Sequence, residues 1–236
     1  MGLSHSPNIV TSGMVFCIDI ANKRSYSGTG TVITDLTGKG NNAVSSAQLG
    51  TTTNYGGGLR FNGVDQYVII GNPASMAVTP SSSFTLCLWA EANTVKGNAN
   101  TGSLFGRGST GGSHGIGLTR SDPLLQLRVG SRTTPSDIGQ LITISPNVPY
   151  FVAMTYTAFE QKVYINNTLN NTSNSQGHIG QTFDNSDWVC FYPNAVTGGN
   201  ADYPGGILYY ASMYNRALSE KEVLNNFQAL RGRFGI

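Results

Sequence analysis

Four glutamates, Glu91, Glu160, Glu220 and Glu222, are the first place to look for catalysis. Hydrolysis of a glycosidic bond uses two carboxyl groups, about 5 Å apart in a retaining enzyme, one attacking and one handling the proton. On a strand such a pair comes from alternate positions, which share a face. None of the four glutamates lies near an aspartate in that pattern. Asp184 and Asp187 stand three apart in a loop-like stretch and would not share a strand face. Serine or cysteine catalysis needs a histidine beside the nucleophile. His5 lies in a polar N-terminus, His114 in a glycine-rich run and His178 beside an Asn/Ser tract, so all three read as solvated loop residues. The run GRGSTGGSHGIG (106–117) lacks the Lys-Ser/Thr ending and following helix of a phosphate loop, and reads as a hairpin connection. No residue is assigned a catalytic role, and the chain is expected not to be an enzyme.

Binding chemistry has better candidates. A glycan is held by aromatic platforms and by Asn and Asp hydrogen bonds in loops. Tyr203, Trp188, Tyr192 and Tyr55 are the candidate glycan-binding residues, with Tyr26 a further aromatic. Tyr203, between Asp202 and Pro204, is best set for exposure, whereas Trp188 and Tyr192 read first as core residues of a strand. Cys17, Cys87 and Cys190 each sit in an apolar run without a CxxC pair, so they read as buried free thiols and not as zinc ligands.

The elements that would position these residues are almost all strands. Apolar runs of strand length occur at 14–20, 59–61, 67–70, 83–90, 124–129, 141–144, 150–156, 161–165, 188–192 and 207–214, with a short one at 104–105. Asn62-Gly63 predicts a hairpin joining 59–61 to 67–70. The runs 83–90 and 207–214 are apolar on both faces and therefore central. Strict alternation in the latter would put Ile207, Tyr209, Ala211 and Met213 on one side and Leu208, Tyr210, Ser212 and Tyr214 on the other. One helix follows. Ser219 and Glu222 have capping-box spacing, Val223, Leu224, Phe227 and Leu230 recur at helical period, and Gly232 can end it.

Short strands at regular spacing predict an all-β sandwich or barrel, with one short C-terminal helix. Residues 1–13, polar and aperiodic, are expected to form an extended N-terminal arm, and 14–236 one domain. Charged residues make up only 11% of the chain and net charge is +2, too little to recruit nucleic acid or an anionic membrane. The N-terminus has neither the basic start nor the apolar stretch of a Sec signal peptide.

Several phrases carry a resemblance: GMVFCIDIAN (13–22), SYSGTGTVITDLTGKGNNA (25–43), GLRFNGVDQYV (58–68), SFTLCLWA (83–90) and YNRALSEKEVLNNFQALRGRFG (214–235). They resemble the laminin-G-like, concanavalin A-like jelly-roll superfamily, and within it the stand-alone virion structural proteins of bacteriophages. The resemblance implies a two-sheet antiparallel jelly-roll sandwich, the sheets packed face to face. Hydrolases of this fold carry E-x-D-x-x-E or E-x-D-x-E on one strand, which this chain lacks. Calcium is common in such relatives, and Asp19, Asn194 and Asp202 are the conceivable oxygen donors, although no EF-hand pattern supports them. No cofactor is assigned, with calcium the one candidate. The implied function is a non-enzymatic structural protein at the virion surface, a head decoration, fibre or tail-associated module. Its partners would be other capsid or tail proteins and sister subunits, met through the arm, the C-terminal residues 231–236, or both. The alternative is a lectin-like module that recognises host surface glycans.

Overall fold

In the computed structural model the described residues are 7–79, 81–96, 101–107, 114–121, 124–131, 140–174, 186–193 and 203–236. They form two antiparallel sheets packed face to face, with one helix on the outside. The helix-bearing sheet runs, in spatial order, β14 (Thr168–Asn174), β13 (Glu160–Ile165), β12 (Pro149–Tyr156), β7 (Phe84–Lys96), β16 (Tyr203–Tyr214), β5 (Gly58–Asn62) and β4 (Gly50–Thr52). β1 (Met14–Asp19) continues the far side of β16 where β5 stops. The opposite sheet runs β11 (Gln140–Ile144), β10 (Leu124–Ser131), β9 (His114–Ser121), β8 (Thr101–Arg107), β15 (Trp188–Pro193), β6 (Val68–Gly71), β3 (Ala43–Ser45) and β2 (Val32–Ile33).

Alternation along the central strands divides the core from the outer layer. Phe84, Leu86 and Leu88 of β7 and Val152, Met154 and Tyr156 of β12 face inward, against Ile116, Leu118, Leu127, Trp188 and Cys190 of the opposite sheet. Thr85, Cys87 and Trp89 face outward. There the α-helix α1 (Glu220–Phe234) covers them, and Trp89 stacks on Phe234 (centroids 3.9 Å apart, planes 4° apart) and on Phe227 (5.7 Å, 12°). The helix starts as expected: Ser219 accepts from the Glu222 N–H, and Glu222 reaches back to the Ser219 N–H. It ends later than expected. Gly232 lies inside the helix, and the left-handed cap is Gly235 (φ 72°), whose N–H reaches the Arg231 carbonyl. The glycine-rich run is a hairpin, with β8 and β9 paired on either side of residues 108–113, which lie outside the described residues.

Three readings are corrected. Strand 59–61 does not form a hairpin with 67–70: β5 pairs with β4 and β16, while β6 belongs to the opposite sheet. The Asn62 side chain explains the difference. It accepts from the Val64 and Asp65 N–H groups and donates to Asp65 at 2.8 Å, an Asx turn that carries the chain across the sandwich instead of folding it back. The strict alternation of 207–214 also fails. A bulge between Leu208 and Tyr210 leaves Leu208, Ala211 and Met213 in the core and sends Ile207, Tyr209, Tyr210 and Tyr214 outward. Finally, β7 does not stop at Ala90 but continues to Lys96, and β16 begins at Tyr203.

The described part of the N-terminal arm lies on the sandwich. Ile9 and Val10 pack on the helix-side cluster. Asn226, 1% exposed, accepts the Val10 N–H at 2.9 Å, while Tyr214 donates to the Val10 carbonyl at 2.9 Å and receives a bond from Asn226 at 3.0 Å. All three cysteines are free and buried. Cys17 and Cys87 flank Ser212 on either side of β16. Two strand spacings separate them, about 9.5 Å and beyond the reach of a disulfide. Burial pushes both thiols up to about 12.

Candidate functional site

The helix covers only part of its sheet. Beyond its end the same outer face opens into a groove of about 420 Å³. Its residues follow from the strand pattern. On β7 the outward series Cys87, Trp89 continues as Glu91 and Asn93, so the face turns from apolar to polar within one strand. β16 contributes Gly206 and Ile207, β5 contributes Arg60, Phe61 and Asn62, and Gly50 lies on the edge strand β4. Asn54, Gln66 and Asn147 enter from turns.

Glu91 is 8% exposed and is the only carboxylate among these lining residues. Tyr209 donates its hydroxyl to Glu91 Oε1 at 2.5 Å. Burial, and then this bond to an anion, push the Tyr209 hydroxyl far above the usual tyrosine range, so it stays a proton donor and orients the carboxylate. Across the groove Gln66 is also fixed, accepting the Asn62 N–H at 2.9 Å. Gly206 (φ 151°) is required for the floor. A Cβ there would lie 2.0 Å from the Glu91 carbonyl oxygen, so any side chain would push β16 off β7.

Arg233 at the end of α1 holds the groove wall from behind. It donates to the carbonyls of Tyr55 and of Gly57 (2.8 Å), and to Asp19 Oδ1 at 2.7 Å. Tyr55 is a left-handed non-glycine residue (φ 50°, ψ 35°) beside the lining residue Asn54. Its ring meets Tyr209 edge-on (5.5 Å, 81°) and Phe234 (5.2 Å, 38°).

The expected glycan residues are therefore scattered. Trp188 is fully buried and donates its indole N–H to the Met76 carbonyl at 2.9 Å; it is a core residue, which corrects its place among surface platforms. Tyr26 is likewise buried. Tyr55 is half-buried in the packing just described. Tyr192 and Tyr203 are half-buried and come together around Tyr67, with centroids 5.1 and 6.4 Å from it. Burial, then neighbouring Tyr67, Tyr192 and Asp65, hold the Tyr203 hydroxyl above its usual value. Of the calcium candidates, Asn194 and Asp202 lie outside the described residues, and Asp19 is paired with Arg233. His5, His178 and Asp184 also lie outside them. Among the described residues no cluster of His, Cys, Asp and Glu is placed to hold a metal, and no helix is long and apolar enough to cross a membrane.

Sequence reasoning missed Glu91, Asn93, Arg60 and Asn147 as a group. The one available signal was the continuation C-x-W-x-E-x-N from 87 to 93.

The chain resembles several solved structures. Over 97% of its length it matches 34% of a Trypanosoma rangeli sialidase mutant displaying trans-sialidase activity, with 19% identity and a TM-score of 0.67. It matches 52% of the binding domain of botulinum neurotoxin DC, solved with rat synaptotagmin II (94% of this chain, 15% identity, TM-score 0.65). The binding domain of Paraclostridial mosquitocidal protein 1 is similar in the same way (92% of this chain, 52% of that chain, 18% identity, TM-score 0.61). This chain thus spans about a third of the sialidase and about half of the toxin domains, and at these identities the likeness is one of fold. No curated protein matches its sequence. A family model described as the concanavalin A-like lectin/glucanases superfamily matches residues 62–224, more than half of the chain, and with the two-sheet sandwich this places the protein in that superfamily.

Proposed function

We propose that this protein is a non-catalytic carbohydrate-binding module and that the groove over β5, β16 and β7 holds the sugar. One observation carries the reading: the sheet face that the helix leaves open is lined largely by hydrogen-bonding groups, with Glu91 oriented by Tyr209, beside the apolar Phe61 and Ile207. Asn54, Asn93 and Asn147 each offer both a donor and an acceptor, which matches a hydroxyl that does both, and Gln66, whose oxygen holds the Asn62 N–H, adds its amide donor. The one acid, Glu91, and the one base, Arg60, leave the lining without net charge, which favours a neutral glycan. A single carboxylate supports binding over hydrolysis by a carboxylate pair. The test is calorimetric titration with neutral oligosaccharides alongside sialylated and phosphorylated ones. Neutral sugars should bind, and Glu91→Ala should weaken them about tenfold or more by leaving Tyr209 unpaired and removing the acceptor. Failure of every neutral glycan to bind would overturn the reading.

A second reading places the module on a bacteriophage particle as a structural surface protein. It is favoured by the phrases at 13–43 and 214–235 and by a chain so low in charge that attachment would rest on backbone pairing and apolar burial. The two readings are compatible. The test is whether antibody against the folded domain labels intact particles of the phage that encodes it; unlabelled particles lacking the protein by mass spectrometry would end the reading.

A further inference from the structure

We infer that the carbohydrate site continues from the groove over the Asn62–Gln66 crossover onto Tyr67, Tyr192 and Tyr203, so that the ligand is an oligosaccharide spanning both parts. The inference rests on the glycan reading of the groove. Asn62 and Gln66 line the groove, and the next residue along the chain is Tyr67. The crossover is the wall shared by the two parts, and it is stiff: Asn62 bonds Asp65, and Gln66 bonds the Asn62 backbone. Around Tyr67, Tyr192 arrives at the end of β15 in the opposite sheet and Tyr203 at the start of β16 in the helix-bearing sheet. The tyrosines therefore gather where the two sheets meet, at the end of the sandwich that also holds the groove.

The chemistry of the two parts is complementary. A pyranose presents hydroxyls at its rim and C–H groups on its faces. The groove offers amides and a carboxylate to the rim, and a tyrosine offers an apolar ring and a polar tip to a face. The core elsewhere uses fully buried aromatics, such as Trp89, Phe151 and Trp188. These three tyrosines instead stay partly exposed, with Tyr192 edge-on and Tyr203 tilted against Tyr67, centroids at 5.1 and 6.4 Å. That arrangement keeps ring surface available without an apolar patch facing water.

The experiment is titration of the whole chain with laminari-, cello- and malto-oligosaccharides from one to six units. In the binding series, affinity should rise about tenfold from the shortest bound sugar to the longest. Tyr67→Ala, Tyr192→Ala and Tyr203→Ala should remove that gain and leave the shortest sugar unchanged, while Asn93→Ala weakens all lengths. Tyr67→Phe and Tyr203→Phe, which keep the rings and the fold, should retain the gain. Short sugars that bind with no gain in length, or a gain that survives in all three alanine variants, would overturn the extension and leave the groove reading intact. Absence of binding in these three series and of every other neutral glycan would overturn both.

Discussion

The outer face of the helix-bearing sheet has two halves built from the same strands. Under α1, β7 presents Cys87 and Trp89, and β16 presents Tyr210 and Tyr214, all buried. Past the helix end, β7 presents Glu91 and Asn93 to the groove, and β16 presents Ile207 and bare glycine. β7 and β16 pair with each other through both halves, so neither strand by itself decides between them. What differs is the cover. A helix can be held there only by an apolar surface, and where that surface stops the sheet is free to carry polar groups for another molecule.

The contrast can be broken from either side. Trp89→Ala should have the largest effect, about 3–5 kcal/mol in chemical denaturation, because it removes the ring stacked between Phe227 and Phe234. Arg233→Ala, at the seam between the halves, should cost about 2–3 kcal/mol, since Asp19 and the carbonyls of Tyr55 and Gly57 lose their donor. It should also raise hydrogen exchange at 53–58, where left-handed Tyr55 depends on that clamp. Asn226→Ala should cost about 1–2 kcal/mol and free residues 7–13, seen as faster exchange at Val10. Glu222→Gln should cost about 1 kcal/mol through the cap. Its pH signature is distinct. Hydrogen bonding from Arg216 and the Ser219 backbone lowers the Glu222 carboxyl to about 2. Its contribution is therefore present above the unfolded value of about 4.3 and lost as pH falls toward 2. The variant should flatten the acid limb of a stability-versus-pH curve across that window. At the small end, Asn93→Ala in the open half should change stability by no more than about 0.5 kcal/mol while weakening the ligand.

The sandwich was legible because both-face apolar strands, turn residues and a capping box are local signals, and β7, β12, β16 and α1 follow them. The short strands Val32–Ile33, Ala43–Ser45 and Gly50–Thr52 were not, since two or three residues carry no period and are specified by their neighbours. Asn62-Gly63 misled because the dipeptide signals a turn but not the sheet that follows it. The groove was hidden for a different reason. Arg60, Glu91, Asn147 and Ile207 are separated by tens of residues and meet only through strand order. Among the aromatic candidates the local setting did separate Trp188, inside an apolar strand run and at the centre of the core, from Tyr203, beside a proline and at its margin.

The bulge at Tyr209 has a genetic meaning. Downstream of it, Ala211 and Met213 are locked to the core; upstream, Leu208 points inward and Ile207 lies on the groove side. The spare residue is what keeps the two segments out of phase. Loss of the Tyr209 codon would leave Leu208 and Ala211 facing the core and Ile207 on the groove side, because the remaining residues then alternate without a bulge, but it would remove the hydroxyl that orients Glu91. A one-residue deletion is thus a route by which such a chain can loosen its binding face while keeping its fold.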